Sequence, residues 1–387
     1  MKFNQSKQKL LMNLARSLVV KNWLKAFHPL YITVLIGVSA ISCVDISQSK
    51  PVTFTTKRLT NNNFDDLAPK ISNSNIVWQG GEYDNYEIFF FNGTSTKQLT
   101  KNNFNDFAPE ISESKIVWQG YTNKNINFSE IFLFNSKTTT QLTKNKFYDS
   151  DPQISGSNVV WGSYIGGIDS ATDVEIFSFN GKTTTQLTRN EFFDFYPQIS
   201  GGEIVWSGYT SELNSSEEIF FYNGSEIIQL TKNSFPDSSA QISEGNIVWQ
   251  GFDGNDTEIF FYNGKTTTQL TNNKFDDHTP QISGANVVWE ANSAKSSEIF
   301  FYNGKTTIQL TDNSVEDRLP QVSGDNVVWS GFDQKSRDYE IYFYDGKNTT
   351  QITNNRFDDS APQISGSNLV WIGSNGDDTE IFLATPN

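Results

Sequence analysis

The chain has 387 residues, 36% hydrophobic and 14% aromatic, with a formal charge of −15 and one cysteine. A single thiol excludes a disulfide scaffold, and 31 Phe, 14 Tyr and 9 Trp argue against a disordered chain, which is poor in rings. The charge is divided: residues 1–42 hold six Lys/Arg and no Asp/Glu, leaving 23 cations and 44 anions, a net −21, for residues 43–387. So acidic a body argues against nucleic acid or anionic lipid as its partner, because both reward Lys and Arg.

The first element in chain order is the basic leader. Its cations, from Lys2 to Lys25, precede an apolar run over residues 30–42. At about 13 residues this run is short for a bilayer span of roughly 20 but suits a signal-peptide core. It ends in Ala40-Ile41-Ser42-Cys43, and Cys43 is the one cysteine of the chain. The pattern resembles the lipobox of bacterial lipoproteins, in which a small residue precedes the cut and the Cys thiol becomes lipidated. Ordinary secretion and an uncleaved membrane anchor are the other readings of the same leader. The expected organisation is a leader over 1–42, lipid-attachment Cys43 with a linker to 51, and a folded body over 52–387. That body is expected in the extracytoplasmic envelope of a bacterium, held at the membrane by its amino-terminal lipid or anchor.

The body is one unit repeated eight times. A Trp follows two apolar residues at Trp78, Trp118, Trp161, Trp206, Trp249, Trp289, Trp329 and Trp371, at steps of 40–45 residues. Each is preceded by 19 residues by the first residue of a Leu-Thr or Ile-Thr pair, from Leu59 to Ile352, and followed by a Glu-Ile-aromatic triplet, from Glu87 to Glu380. One unit reads as four short strands: Gln281-Ile282-Ser283, Asn286-Val287-Val288-Trp289, Glu298-Ile299-Phe300-Phe301-Tyr302 and Thr306-Thr307-Ile308-Gln309-Leu310. Ser283-Gly284-Ala285 turns the first into the second, and Asn303-Gly304 is the dipeptide favoured in hairpins whose central residues need φ > 0. Third strands such as Ile259-Phe260-Phe261-Tyr262 are continuously apolar, so both faces of each sheet must be covered. Four-stranded units at this period predict an all-β, eight-bladed propeller, whose stacked sheets bury both faces. The repeats begin on a fourth strand, 53–60, and end on a third, 380–385, so the amino-terminal strand is expected to complete the last blade and remove both edges.

The unit, in Leu270 to Pro280 with Gln281 to Gly284 and Val287 to Tyr302, resembles the TolB-type propeller repeat, itself similar in architecture to WD repeats. It is especially similar to the surface-protein variant Pro-x-Ile-Ser-Gly-x-x-Val-Val-Trp. The resemblance covers about residues 53–385 and implies a propeller without implying a function, since propellers host binders, scaffolds and enzymes. Ser-Gly-Ser-Asn stands in place of the TolB Ser-Pro-Asp-Gly turn, eight blades in place of six, and no amino-terminal TolB domain is present. The partners of TolB are therefore not carried over.

Variation in length falls between Trp and Glu: 9, 12, 14, 12, 9, 9, 11 and 9 residues in turn. The insertions concentrate in blades 2, 3 and 4, at 121–129, 164–174 and 209–217, on one rim, which is the expected binding face. The same rim carries an aromatic three residues after the Trp at Tyr121, Tyr164, Tyr209, Phe252 and Phe332. These are candidate anchors for a protein or glycan, or else caps of the blade interface. An Asp recurs three residues before the inner strand's Pro or Ala: Asp66, Asp106, Asp149, Asp194, Asp237, Asp277, Asp317 and Asp359. Such a ring could attract a cation at the channel mouth, but a residue present in every unit is the kind that makes the unit fold, here by accepting turn N–H groups. The recurring Glu and the Asn62 equivalents fall under the same reading. Asp253, Asn255 and Asp256, with Glu258, offer the hard oxygen ligands of calcium without EF-hand spacing, and Asp377, Asp378 and Glu380 form a similar acidic loop.

Catalytic equipment is sparse. His278 is the only His outside the leader, and neither Gly-x-Ser-x-Gly nor a phosphate-cradling Gly loop appears. Polysaccharide lyases with TolB-like propellers use several metal-binding His residues, which this chain does not supply, while a carboxylate-pair hydrolase is invisible to sequence. The expectation is a monomeric, non-enzymatic propeller without a cofactor, binding a protein or glycan of the envelope; a polysaccharide-acting enzyme and a structural surface protein are the alternatives.

Overall fold

The computed structural model describes residues 50–123, 128–165, 173–210, 216–293 and 295–387. The leader with Cys43 and parts of the long loops of blades 2, 3 and 4 lie outside the described residues. The body is an eight-bladed β-propeller in which each blade is a four-stranded antiparallel sheet. Blade 6 is representative, with strands Asp277–Ser283, Asn286–Asn292, Ser297–Tyr302 and Thr307–Gln309 from the inner to the outer position.

The Trp motif explains the ring. Each indole is 0–1% exposed and lies opposite the third-strand aromatic of its own blade, with ring centroids 5.7–6.0 Å apart and planes within 12–16°. The apolar clusters lie between blades. Ile76, Trp78 and Phe91 of blade 1, for example, meet Val370, Ile381 and Leu383 of blade 8. Both faces of every sheet are thus covered by neighbours, as the unbroken apolar third strands require.

The inner strands are longer than the sequence suggests, starting at the Asp rather than at the Gln. Each contains a bulge, as between His278 and Gln281, where one non-Gly residue takes φ of 50–55°: Ala68, Ala108, Asp151, Tyr196, Ser239, Thr279, Leu319 and Ala361. The extra residue breaks the period-two pattern, which hides this half of the strand from periodicity. The bulge N–H is met from the preceding blade in three cases. Gln79, Gln250 and Glu290 accept from Ala108, Thr279 and Leu319 at 2.7–2.9 Å.

Two hydrogen-bonded systems run round the ring. On the rim of the inner hairpins, each Ile-Ser or Val-Ser hydroxyl accepts a turn N–H of the next blade at 2.8–3.0 Å, eight times over, with Asn73 N to Ser365 closing the circle. On the connector rim, each third-strand Glu accepts the backbone N–H of the next connector's Asn at 2.6–3.2 Å. That Asn donates through Nδ2 to the Asp of the following blade at 2.5–2.8 Å. In seven blades the other Asp oxygen accepts the indole Nε1–H at 2.8–3.0 Å. The carboxylate fills the space beside the strand so fully that a Cβ at Gly120 or Gly251 would collide with Oδ1 of Asp106 or Asp237. Blade 3 is the exception. Ser163 stands at the glycine position and donates to Asp149, and the indole Nε1 of Trp161 is left without a hydrogen bond.

Ring closure is by strand exchange. Phe54–Arg58 pairs antiparallel with Thr379–Pro386, from Phe54 opposite Pro386 to Arg58 opposite Phe382. Arg58 also forms an ion pair with the buried Glu380, at a place where the other outer strands carry Gln98, Gln141, Gln186, Gln229, Gln269, Gln309 and Gln351. Deleting residues 50–60 is expected to lower the melting temperature by more than about 10 °C, whereas Arg58→Gln, which restores the repeat, shifts it by only a few degrees. Thermal denaturation followed by circular dichroism checks both; an unchanged melting point after the deletion contradicts closure by this strand.

The rim aspartates are buried, at 0–4% exposure. Burial, reinforced by the neighbouring Glu charge and opposed by the Asn and Trp hydrogen bonds, pushes Asp66, Asp106 and Asp317 up to about 6 and Asp277 up to about 7. Burial likewise lifts Glu340 to about 6. A carboxyl pKa raised by folding adds stability that is complete below the unfolded value, near 4, and is lost as pH rises through 6 to 7. The melting temperature is therefore expected to rise as pH is lowered from 8 to 5, and Asp277→Asn to flatten the upper part of that slope. A profile that falls over this interval contradicts the assignment.

Candidate functional site

The connector rim carries every residue that the sequence singles out for binding. The eight aspartates do not line an open channel mouth: they are occupied inside the sheets by Asn amides and, in seven blades, by indoles, with Ser163 in place of the indole in blade 3. The turn N–H bonds expected of them are accepted instead by the Asn side chains, as when Asn190 Oδ1 accepts from Phe192 N at 2.6 Å. The recurring Glu are also interior, at 0–6% exposure.

The five aromatics divide into two groups. Phe252 and Phe332 pack singly within their own blades, against Phe235 at 5.5 Å and Tyr339 at 5.4 Å. Tyr339 is further covered by the Arg318 guanidinium, 3.5 Å from its ring centroid, and donates to Glu316 at 2.6 Å. Tyr121, Tyr164 and Tyr209 instead belong to ring clusters that follow one another along an arc over blades 2, 3 and 4. Tyr121 packs on Phe107 at 5.7 Å, and its phenol interacts electrostatically with that of Tyr148 in the next blade. Tyr148 meets Tyr164 edge to face at 5.6 Å, and the Tyr164 phenol feels the charges of Asp151 and Tyr196. Phe195 packs on both Tyr196, at 5.1 Å, and Tyr209, at 5.7 Å. Burial pushes the phenols of Tyr121 and Tyr164 up, so both remain protonated donors at neutral pH.

Sequence reasoning missed half of this arc. Phe107, Tyr148, Asp151, Phe195 and Tyr196 lie on the inner strands, and all but Tyr148 flank or occupy a bulge. A signal existed: between the invariant Asp and the Pro or Ala, the two residues change from blade to blade. They are Leu67-Ala68, Phe107-Ala108, Ser150-Asp151, Phe195-Tyr196, Ser238-Ser239, His278-Thr279, Arg318-Leu319 and Ser360-Ala361. Architecture sets the backbone there and leaves the side chain free. Tyr196 shows this most plainly, standing 62% exposed from a left-handed residue.

The arc is amphipathic, presenting ring edges and faces together with phenol donors and one carboxylate. Such a surface binds by stacking and hydrogen bonding at low entropic cost. It lies in the three blades whose second-to-third-strand loops are longest. A cavity of about 290 Å³ between blades 3 and 4, lined by Phe179, Leu187, Ile199 and Tyr222, opens at the opposite rim and does not include the arc.

The acidic candidate in blade 5 is drawn together. One carboxylate oxygen from each of Asp253, Asp256 and Glu258 lies within 4.8 Å of the others. Asn255 braces this loop, donating from its N–H and Nδ2 to Asp253 Oδ1 at 2.9 and 3.3 Å. In blade 8, Asn375 donates to Asp378, and Glu380 is held by Arg58. His278 lies 3.6 Å from Glu290, whose other oxygen holds the next blade's bulge, so the pair is part of a blade junction.

No family model and no curated protein matches the sequence. Solved structures do match in fold. The β-propeller domain of the trilobed protease from Pyrococcus furiosus, described as having an open velcro topology, aligns with a TM-score of 0.55 at 13% identity over 76% of this chain and 99% of its own. The computationally designed Ika8 protein aligns with a TM-score of 0.56 at 13% identity over 84% of this chain and 98% of its own. Pyrococcus horikoshii acylaminoacyl peptidase aligns with a TM-score of 0.53 at 13% identity over 80% of this chain, which spans only 57% of that enzyme's length. Likeness at this identity speaks for the fold alone, and the fold it speaks for is the β-propeller.

Proposed function

We propose that the chain is a binding propeller of the bacterial cell envelope that captures a protein or glycan through the connector rim of blades 2–4. The observation that carries the reading is the coincidence, in the same three consecutive blades, of the longest loops and the run of aromatic clusters from Phe107 to Tyr209. Repetition accounts for neither, since both depart from the unit. The net −21 of residues 43–387 adds support, because it disfavours nucleic acid and anionic lipid as the captured surface. The lipobox-like Cys43 and the TolB-type resemblance of the repeat belong to the same reading, in which the ring is a tethered, non-enzymatic adaptor.

The test is capture from intact cells by cross-linking, run beside two altered forms. In one, the loops of blades 2, 3 and 4 are shortened to nine residues, the length in blades 1, 5, 6 and 8. In the other, Tyr164→Ser and Tyr196→Ser are combined. Both are expected to fold, and both to lose capture by at least about tenfold, the scale of one or two removed anchors. Undiminished capture by the folded variants overturns the site. Tethering is tested separately: Cys43→Ala should release the protein from the membrane fraction, and a form that stays bound argues for an uncleaved anchor.

A further inference from the structure

The cavity between blades 3 and 4 belongs neither to the arc nor to the relay that holds the blades together, and it originates in a departure from the repeat. Three residues after the recurring Glu, the third strand carries Phe90, Phe221, Phe261, Phe301 and Phe343, or else Leu133 and Leu383. Each of these seven is 0–9% exposed and lies in the apolar layer that its blade shares with the next. Blade 3 has Ser178 at this place, and its layer with blade 4 is built from Val160, Ile176, Ile204 and Trp206 without it.

The sheets have not closed over the missing side chain. Ser178 keeps its register, opposite Val160 on one side and Thr185 on the other, and the space of about 290 Å³ remains open. Its apolar wall is Leu187, Ile199, Ile204 and Tyr222, while Ser178 and Thr185, paired across the strands, bring two hydroxyls to it. The junction of blades 6 and 7 shows what the ring does when present. A cleft of about 250 Å³ there is lined by Phe301, Ile308 and Tyr344 and does not reach Leu310, Val322 or Val327, the counterparts of Leu187, Ile199 and Ile204. The other junctions also show what the space fits. In Phe90–Phe134, Phe221–Tyr262, Phe261–Tyr302 and Phe301–Tyr344 the filling ring meets a ring of the next blade, with centroids 6.2–6.4 Å apart and planes at 57–65°. Tyr222 is the equivalent ring of blade 4, held by its hydroxyl donating to the Gly224 carbonyl at 2.9 Å, and among the described residues no ring packs against it.

We propose that this cavity binds a small aromatic molecule, whose ring takes the place that Phe fills at the other junctions, inclined to Tyr222, and whose polar substituent is hydrogen-bonded by Ser178 and Thr185. Apolar walls with a few converging polar groups are the usual make-up of a small-molecule site. The size agrees, since an apolar cavity of about 150 Å³ already takes up benzene, and the larger space here leaves room for a substituent. The site opens on the rim opposite the arc and is separate from the surface assigned to capture.

The probe is 4-methylphenol, titrated against the full chain and followed by ligand-observed NMR. It is run beside 4-methylcyclohexanol, which has a similar outline without the aromatic face, and beside Ser178→Phe, which restores the repeat and whose folding a circular dichroism melt verifies. The wild type is expected to bind 4-methylphenol with a Kd below about 1 mM, within the range open to so small a ligand. The saturated alcohol is expected to bind at least about threefold more weakly, for want of the ring contact with Tyr222. Ser178→Phe is expected to bind at least about tenfold more weakly and to melt a few degrees higher, as filling a cavity does. Ser178→Leu, with the residue of blades 2 and 8, carries the same expectation if the Phe variant does not fold. Absence of binding to the wild type, equal binding by the folded variant, or equal binding of the two alcohols overturns the proposal.

Discussion

The structure depends on one buried contact, repeated: an aspartate that accepts the indole N–H of its own blade and the amide of the connector arriving from the blade before. The indole must be interior to cover the neighbouring sheet, and its N–H must then find an acceptor inside the protein. The carboxylate meets that need at the point where two blades join, so packing within a blade and spacing between blades become the same constraint. Asparagine four residues before the Asp and glutamate in the preceding sheet both follow from giving the buried charge its partners.

The two rims differ in what this constraint leaves free. On the inner-hairpin rim the serine belt takes an N–H from every blade, and the turns there have one length. On the connector rim the relay fixes the Asn loops but not the loops from second to third strand, whose lengths change. The bulges add a second freedom, because their backbone is held while their side chains differ. Side chains free to vary therefore arise where a rigid backbone carries them, and in this ring such positions gather on one rim.

The period of the Trp, the Leu-Thr pair and the Glu-Ile-aromatic triplet made the blades and their closure readable before any coordinates. These are contacts between residues whose spacing in sequence is the same in every unit. Tyr121, Tyr164 and Tyr209 were readable for the same reason. The inner half of the arc was not, because Phe107, Phe195 and Tyr196 flank or occupy bulges that interrupt strand alternation, and Tyr148 stands just before the repeating Asp, where the residue changes from blade to blade. The fate of the aspartates was half legible. Their recurrence indicated a structural role, but nothing in the spacing says that an indole 12 residues later will take the oxygen. Ser163 shows the limit most clearly: one substitution in the unit redirects the hydrogen bond and leaves Trp161 unsatisfied.

The closing strand also gives the ring a polarity with respect to its own ends. Phe54 lies opposite Pro386, and Asn387 donates its N–H to Thr53 at 3.0 Å, so the chain enters and leaves the ring at the same spot. An outer strand runs from the inner-hairpin rim toward the connector rim, which puts that spot on the rim without the aromatic arc. Force applied through either end loads the serine-belt side and peels a single strand pair from its terminus inward. The aromatic surface of blades 2–4, on the opposite rim, stays out of the line of tension.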